Sequence, residues 1–290
     1  MAFEDEPVHR QIYAKQILAK AGVARSDRLL AAFAKVPREE FIGPPPWVYK
    51  DFHNYREMAS ADPVVLYQDM LIGIDTARGV NNGMPSLHAA ALHALGIREG
   101  ETVAHLGAGT GYYSAIIAEL VGPSGRVIAV EYDEALAKKA QENLGRYANV
   151  QLIQGDGTEW PEEDADVVYA NFALDHPPEA WIDNLAIYGR ALFPLGVPAI
   201  ENGRPTGFTR WAGFLMIDRR PSGFGAKFLQ PVSFVWVEGQ VPPPEGRHQR
   251  LADAFRSRRG FQVRSFRWQT PPGREEWYGE EDWGLSFEEV

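Results

Sequence analysis

Val103-Ala-His-Leu-Gly-Ala-Gly-Thr-Gly-Tyr-Tyr-Ser-Ala115 runs from a short apolar strand through three alternating glycines, Gly107, Gly109 and Gly111, into a helix over 112–121. Without β-carbons, backbone can pass tightly from strand to helix and leave room for a ligand against it. The expectation is a nucleotide-sized site. Downstream, the turn Gly122-Pro-Ser-Gly125 leads to a second apolar strand, 126–130, that ends in Glu131. Glu131 follows the last glycine by about 20 residues, the spacing at which a carboxylate at the tip of a second strand accepts hydrogen bonds from a ribose.

The details of the turn select the nucleotide. Dinucleotide folds use GxGxxG, and position 112, where that pattern has its last glycine, holds Tyr112. This favours S-adenosylmethionine over NAD. A helix over about 133–147 and a strand over 149–153 then bring Gly155-Asp156-Gly157 to the same edge. Asp156 can take a hydrogen bond from an adenine amino group, and Gly157 lets a flat ring approach.

These residues, with Val36-Pro-Arg-Glu-Glu-Phe41 and Phe234-Val-Trp-Val-Glu-Gly239, resemble the class I S-adenosylmethionine-dependent methyltransferases, and among them the protein-L-isoaspartate O-methyltransferase family, over residues of about 10–240. The resemblance implies an α/β, doubly wound, Rossmann-like methyltransferase sheet, mostly parallel with an antiparallel closing strand. It implies S-adenosylmethionine as cofactor and a carboxylate of a peptide or small molecule as methyl acceptor. It also divides the chain into an N-terminal helical and loop cap, 1–78, a cofactor-binding domain, 79–240, and a C-terminal extension, 241–290.

That family carries Gly-Gln-Thr-Ile-Ser-x-Pro, whose hydroxyls hold the substrate carboxylate near the methyl donor. Laid on Gly79 to Pro85, the run puts Asn81 at Thr, Asn82 at Ile and Gly83 at Ser, so the serine hydroxyl is missing. The amides of Asn81 and Asn82 are donors that can replace it, with Ser86 and His88 close by; alternatively, Asn-Asn-Gly serves turn geometry alone. His105 stands where the family has an acid that helps hold the cofactor's amino group. A neutral imidazole still accepts one hydrogen bond.

A carboxylate needs no strong base to attack a sulfonium methyl; approach and alignment carry the reaction. A phenol, amine or carbon acceptor does need one. Residues 164–171 form a near-continuous apolar strand of the buried parallel kind, and its carboxyl end sets Asn171, Asp175 and His176 at the ligand edge. Asn171 is a candidate cofactor contact. Asp175 and His176 are candidate bases, or else a polar loop capping a helix over 178–188. The substitutions at 83 and 105 also leave open a non-catalytic, cofactor-binding regulatory protein.

The chain has 290 residues, 45% hydrophobic, enough for one large domain or one domain with additions. Its net charge of −10 argues against a nucleic-acid partner, and without cysteine neither disulfides nor Cys-ligated zinc arise. Asp175 and His176 alone make no metal site. No apolar run approaches a membrane span and the charged N-terminus lacks a signal peptide, so the expectations are cytoplasmic location and no membrane partner. Helices are expected near 8–22 and 26–36. The aromatic loop 47–67, with Trp47, Tyr49, Phe52, His53 and Tyr55, is a candidate substrate wall. Strands are expected over 191–200, 210–219, 232–238 and 261–268, and a helix over 249–259. An acidic, aromatic tail covers 275–290. The added strand suits an edge or a dimer contact, leaving monomer or homodimer open.

Overall fold

The computed structural model describes residues 6–51, 54–201, 204–240 and 243–290; Phe52, His53 and Pro242 lie outside them. Its contacts divide the chain into two compact units, 1–103 with 108–155, and 104–107 with 156–290.

The first unit opens with helices α1 (Glu6–Lys20), α2 (Asp27–Lys35) and α3 (Glu39–Ile42). Tyr13, Ala14, Ile17 and Leu18 of α1 and Leu29, Ala32 and Phe33 of α2 are buried on helical spacing, whereas Val8 and Ile12, which the apolar periodicity also placed on that face, are exposed. Segment 47–67 is not simply loop. It contains the antiparallel pair β1 (Val48–Asp51) and β2 (Asn54–Glu57), and a 3-10 turn at Pro63–Leu66. Trp47 packs in a small core with Leu66 and Ile72, so burial explains that aromatic.

Next come the short pair β3 (Gly73–Asp75) and β4 (Val80–Asn81), helix α4 (Pro85–Leu95), β5 (Thr102–Leu106), whose residues from 104 on belong to the second unit, α5 (Tyr112–Val121), β6 (Arg126–Glu131), α6 (Glu134–Leu144) and β7 (Val150–Gln154). Strand β6 runs parallel to β7, with Val127 opposite Val150. Its residues from Val127 to Glu131 are all buried, as a strand covered on both faces requires. Tyr112 is 2% exposed; its ring meets Phe41 edge-on at 5.6 Å. The side chain that breaks the dinucleotide pattern therefore anchors the N-terminal helices on α5.

The second unit contains β8 (Ala165–Ala170), α7 (Glu179–Asp183), β9 (Leu185–Glu201), β10 (Arg204–Arg220), β11 (Gly223–Pro231), α8 (Arg247–Arg256), β12 (Ser265–Trp268), β13 (Glu276–Gly279) and β14 (Trp283–Ser286). Strand β8 lies between β5 and β9 and is parallel to β9; from β9 the order continues β10, β11, β12, β14, β13, every pair antiparallel. The parallel strands make the expected Rossmann-like, doubly wound arrangement, with an antiparallel portion longer than one closing strand.

Several boundaries differ from expectation. The helix placed over 178–188 ends at Asp183: only Trp181 and Ile182 give it buried anchors, and Leu185 pairs with Ala165 instead. A short helix with two anchors yields to a strand that gains a ladder. The partner of β10 is β11, inside what reads as a Gly-rich turn, whereas the expected strand over 232–238 makes only isolated bridges, Phe208 to Val235 and Ala173 to Trp236. At 261–268 a 3-10 turn over Gly260–Gln262 precedes a strand of four residues. The tail folds as the β13–β14 hairpin, with Trp277, Tyr278, Trp283 and Leu285 buried and Arg267 paired to Glu276 at 2.6 Å. Among the described residues no helix is long and apolar enough to cross a membrane.

Candidate functional site

In the first unit the glycine turn takes left-handed backbone angles at its glycines, φ being +59° at Gly109 and +95° at Gly111. A β-carbon on Gly111 would strike Leu144 of α6 at 2.9 Å, while one on Gly109 would meet nothing within 4 Å. The open side of the turn is at Gly109. Its N–H donates to Glu131 Oε2 at 2.7 Å, and the Asp133 N–H donates to Oε1 at 3.0 Å. Glu131 is 7% exposed; burial pushes its pKa up, against the pull of those two amides. Each carboxylate oxygen keeps a second lone pair, so hydroxyls arriving at the open side find acceptors in place.

Around the acceptor run the amides are engaged. Asn81 Nδ2 donates to Gly79 O at 3.2 Å, and its Oδ1 accepts the Gly83 N–H at 2.9 Å. Asn82 is 7% exposed, and its Oδ1 accepts from Arg38 Nη2 and from the Ile72 N–H, both at 3.1 Å. Both side chains therefore build the turn; Asn82 Nδ2 alone is buried without a partner. Ser86 is held by Asp69, which accepts its Oγ and its N–H at 2.8 Å each.

Gly83 has φ +72°, and a β-carbon there would lie 2.2 Å from His88 Nε2. His88 is 3% exposed and stacks on Tyr113 with ring centroids 3.7 Å apart. The imidazole fills the room a serine side chain would need. Gly83→Ser is thus expected to cost about 2–3 kcal/mol from the overlap and the positive φ. Adding His88→Ala should recover the overlap part, read by urea unfolding of both variants; a well-tolerated Gly83→Ser alone would contradict the packing.

Sequence reasoning missed Arg38, which is fully buried. Its guanidinium donates to the carbonyls of Leu66, Gln68 and Met70 at 2.6, 2.7 and 2.8 Å as well as to Asn82. The motif VPREEF was the available signal; its partners, 28 to 44 residues away, were not.

In the second unit His105 is fully buried and stacked on Tyr169, with Asn171 Nδ2 donating to its Nε2 at 2.7 Å. The ring proton then belongs on Nδ1. Burial drives the His105 pKa down to about 3, so the ring is neutral. An unfolded chain takes up that proton near 6.5, hence stability falls as pH drops from 6.5 toward 3. The expected loss is roughly 2 kcal/mol between pH 6.5 and 5. His105→Gln should flatten that limb in denaturant titrations at the two pH values.

Asn171 Oδ1 is buried and has no partner. Asp156 spends Oδ1 on the N–H and Oγ1 of Thr158, both at 2.8 Å, and Oδ2 on Gln240 at 3.2 Å, a contact the sequence did not suggest. Phe172 packs where β-carbons on Gly107 and Gly157 would fall, 2.9 and 3.2 Å from its ring. Asp175 is 5% exposed and carries His176 on one oxygen and His248 on the other, at 2.6 and 2.8 Å. His248 was also missed. Among the described residues, no group of three or more His, Cys, Asp or Glu is arranged to hold a metal.

A glycine turn after the first parallel strand, an acid ending the second, and helices alternating with parallel strands are the arrangement of the class I S-adenosylmethionine-dependent methyltransferase fold. The chain belongs to the protein-L-isoaspartate(D-aspartate) O-methyltransferase family, whose model matches residues 14–203. It is 35% identical to the protein-L-isoaspartate O-methyltransferase of Aeropyrum pernix over 189 residues, 63% of this chain and 66% of that one. The chain thus spans just under two thirds of that relative's length. A solved protein-L-isoaspartate O-methyltransferase shares the fold with a TM-score of 0.64 at 24% identity, covering 89% of this chain and 71% of its own. A Plasmodium falciparum structure, described as a beta-aspartate methyltransferase in complex with S-adenosyl-L-homocysteine, gives 0.60 at 20% identity, covering 80% and 99%.

Proposed function

We infer that this chain transfers methyl from S-adenosylmethionine to an oxygen of a carboxylate on a peptide or small molecule, with a specificity altered from that of its relatives. The observation that carries the cofactor assignment is the buried Glu131 clasped by the Gly109 amide on the open side of the glycine turn. Glu131 would hold the ribose hydroxyls and Asp156 the adenine amino group. The orphaned, buried Asn171 Oδ1 supplies the acceptor that an amino group needs, beside a His105 kept neutral by burial. When bound, the cofactor supplies an electrophilic methyl group on a sulfonium. The relative from Plasmodium, described in complex with the demethylated cofactor, supports the same assignment.

Altered specificity rests on Gly83 and His88: the hydroxyl that the family aims at its carboxylate is absent, and its room is occupied. Incubation with methyl-labelled cofactor and an isoaspartyl peptide tests the reading. Base-labile labelled ester is the expected product, formed with a higher KM than the family resemblance alone would suggest. No ester, with S-adenosylhomocysteine still bound, would remove the carboxylate and keep the class.

A second reading, methylation of a hydroxyl, an amine or a carbon, is favoured by one observation, the Asp175 carboxylate that holds His176 by Nδ1 at 2.6 Å. That is how a general base is oriented.

A further inference from the structure

Both oxygens of Asp175 are taken by imidazoles, Nδ1 of His176 on Oδ1 and Nε2 of His248 on Oδ2. Burial opposes ionisation of this acid, but hydrogen bonds from the two rings and the nearby Arg247, 3.7 Å away, outweigh it and hold its pKa well below the usual range. An ionised carboxylate must receive an N–H from each ring. In the neutral rings the lone pairs then lie on His176 Nε2 and His248 Nδ1. Both side chains are partly exposed, 38% and 31%.

The charged groups around the pair nearly cancel. Arg247 and Arg250 face Glu280 at 3.0 and 2.8 Å, Tyr278 donates to Glu280, and the Trp236 ring meets His248 edge-on at 5.7 Å. Two cations thus offset Asp175 and Glu280 before any proton arrives. The unit stands five residues past the last residue of β8, Ala170, on the carboxyl side of a parallel strand, where ligands bind in open α/β sheets. A carboxylate acceptor, which arrives without a proton, gives such a pair nothing to do. Residues 247 and 248 also lie beyond residue 203, where the family match ends.

We propose that His176 and His248 are proton acceptors for methylation of a hydroxyl or an amine, with Asp175 as the positioning residue that fixes their tautomers and with α8 supplying the second ring. The proposal rests on the second reading above and narrows its acceptor. As the acceptor heteroatom forms its bond to the methyl carbon, the carbon–sulfur bond breaks and S-adenosylhomocysteine leaves. The O–H or N–H bond breaks with its electron pair kept on the heteroatom, and the proton passes to His176 Nε2 or His248 Nδ1. Asp175 balances the imidazolium.

Two measurements on the full chain test this. Histidine nitrogen NMR of the free protein should show the Nδ1–H tautomer at His176 and the Nε2–H tautomer at His248, both lost in Asp175→Asn. Unchanged ring signals in that variant would overturn the positioning. The second measurement offers methyl-labelled cofactor with tyramine, which carries a phenol and a primary amine, beside an isoaspartyl peptide. Labelled tyramine is expected. His176→Gln and His248→Gln should each lower kcat about 100-fold at unchanged S-adenosylhomocysteine affinity. Label on the peptide alone, label on neither probe while S-adenosylhomocysteine binds, or a double variant as fast as the parent would overturn the proposal. Loss of cofactor binding in the parent chain would instead strike the wider methyltransferase reading.

Discussion

Arg38→Met is expected to lower the unfolding free energy by about 4 kcal/mol, one of the two largest effects anticipated here. The guanidinium has no exposure; four uncharged oxygens accept its N–H groups, three of them main-chain carbonyls of 66–70 and the fourth Asn82 Oδ1. Methionine fills the stem's volume but leaves those four acceptors buried and unsatisfied, each costing about 1–3 kcal/mol before relaxation. Arg38→Lys keeps the charge and loses the planar fork that reaches several carbonyls at once, so it should fall between parent and Met variant. Guanidinium titrations of the three proteins give the order. A Met variant within 1 kcal/mol of the parent, a threshold of about the uncertainty on such values, would show that the clamp contributes little.

The second large effect is on cofactor affinity. Glu131→Ala removes the proposed ribose acceptor and also frees the amides of Gly109 and Asp133 that the carboxylate holds at 2.7 and 3.0 Å. Hydrogen bonds to a charged group contribute about 1.5–3 kcal/mol each, so S-adenosylhomocysteine should bind roughly 100-fold more weakly. Calorimetric titration reads this directly. Glu131→Gln keeps one acceptor oxygen and should lose less; equal affinity in all three proteins would detach Glu131 from the nucleotide.

The position of Glu131 against the Gly109 amide was legible in the sequence because it depends on two local facts, a glycine turn and a fixed spacing through one helix. The same locality made β5, α5 and β6 legible almost to the residue. Gly83 showed only half of its meaning: the missing hydroxyl was plain, but His88 filling that room depends on how α4 is rotated, which no spacing states. Asn81 and Asn82 looked like donors to a substrate, yet one closes a turn and the other accepts from Arg38, a partner 44 residues away. His248 lies 73 residues from Asp175 in a segment whose composition suggested only a basic helix. Strand β11 was hidden because its glycines read as a turn, although β10 needs a partner for its ladder. Contacts closed over long sequence separations left no local periodicity to read.

A crystal structure of the chain with S-adenosylhomocysteine bears most directly on the central claim. The ribose hydroxyls are predicted within hydrogen-bond distance of the Glu131 carboxylate, over Gly109. A nucleoside bound elsewhere, with Glu131 still holding only its two backbone amides, would contradict it.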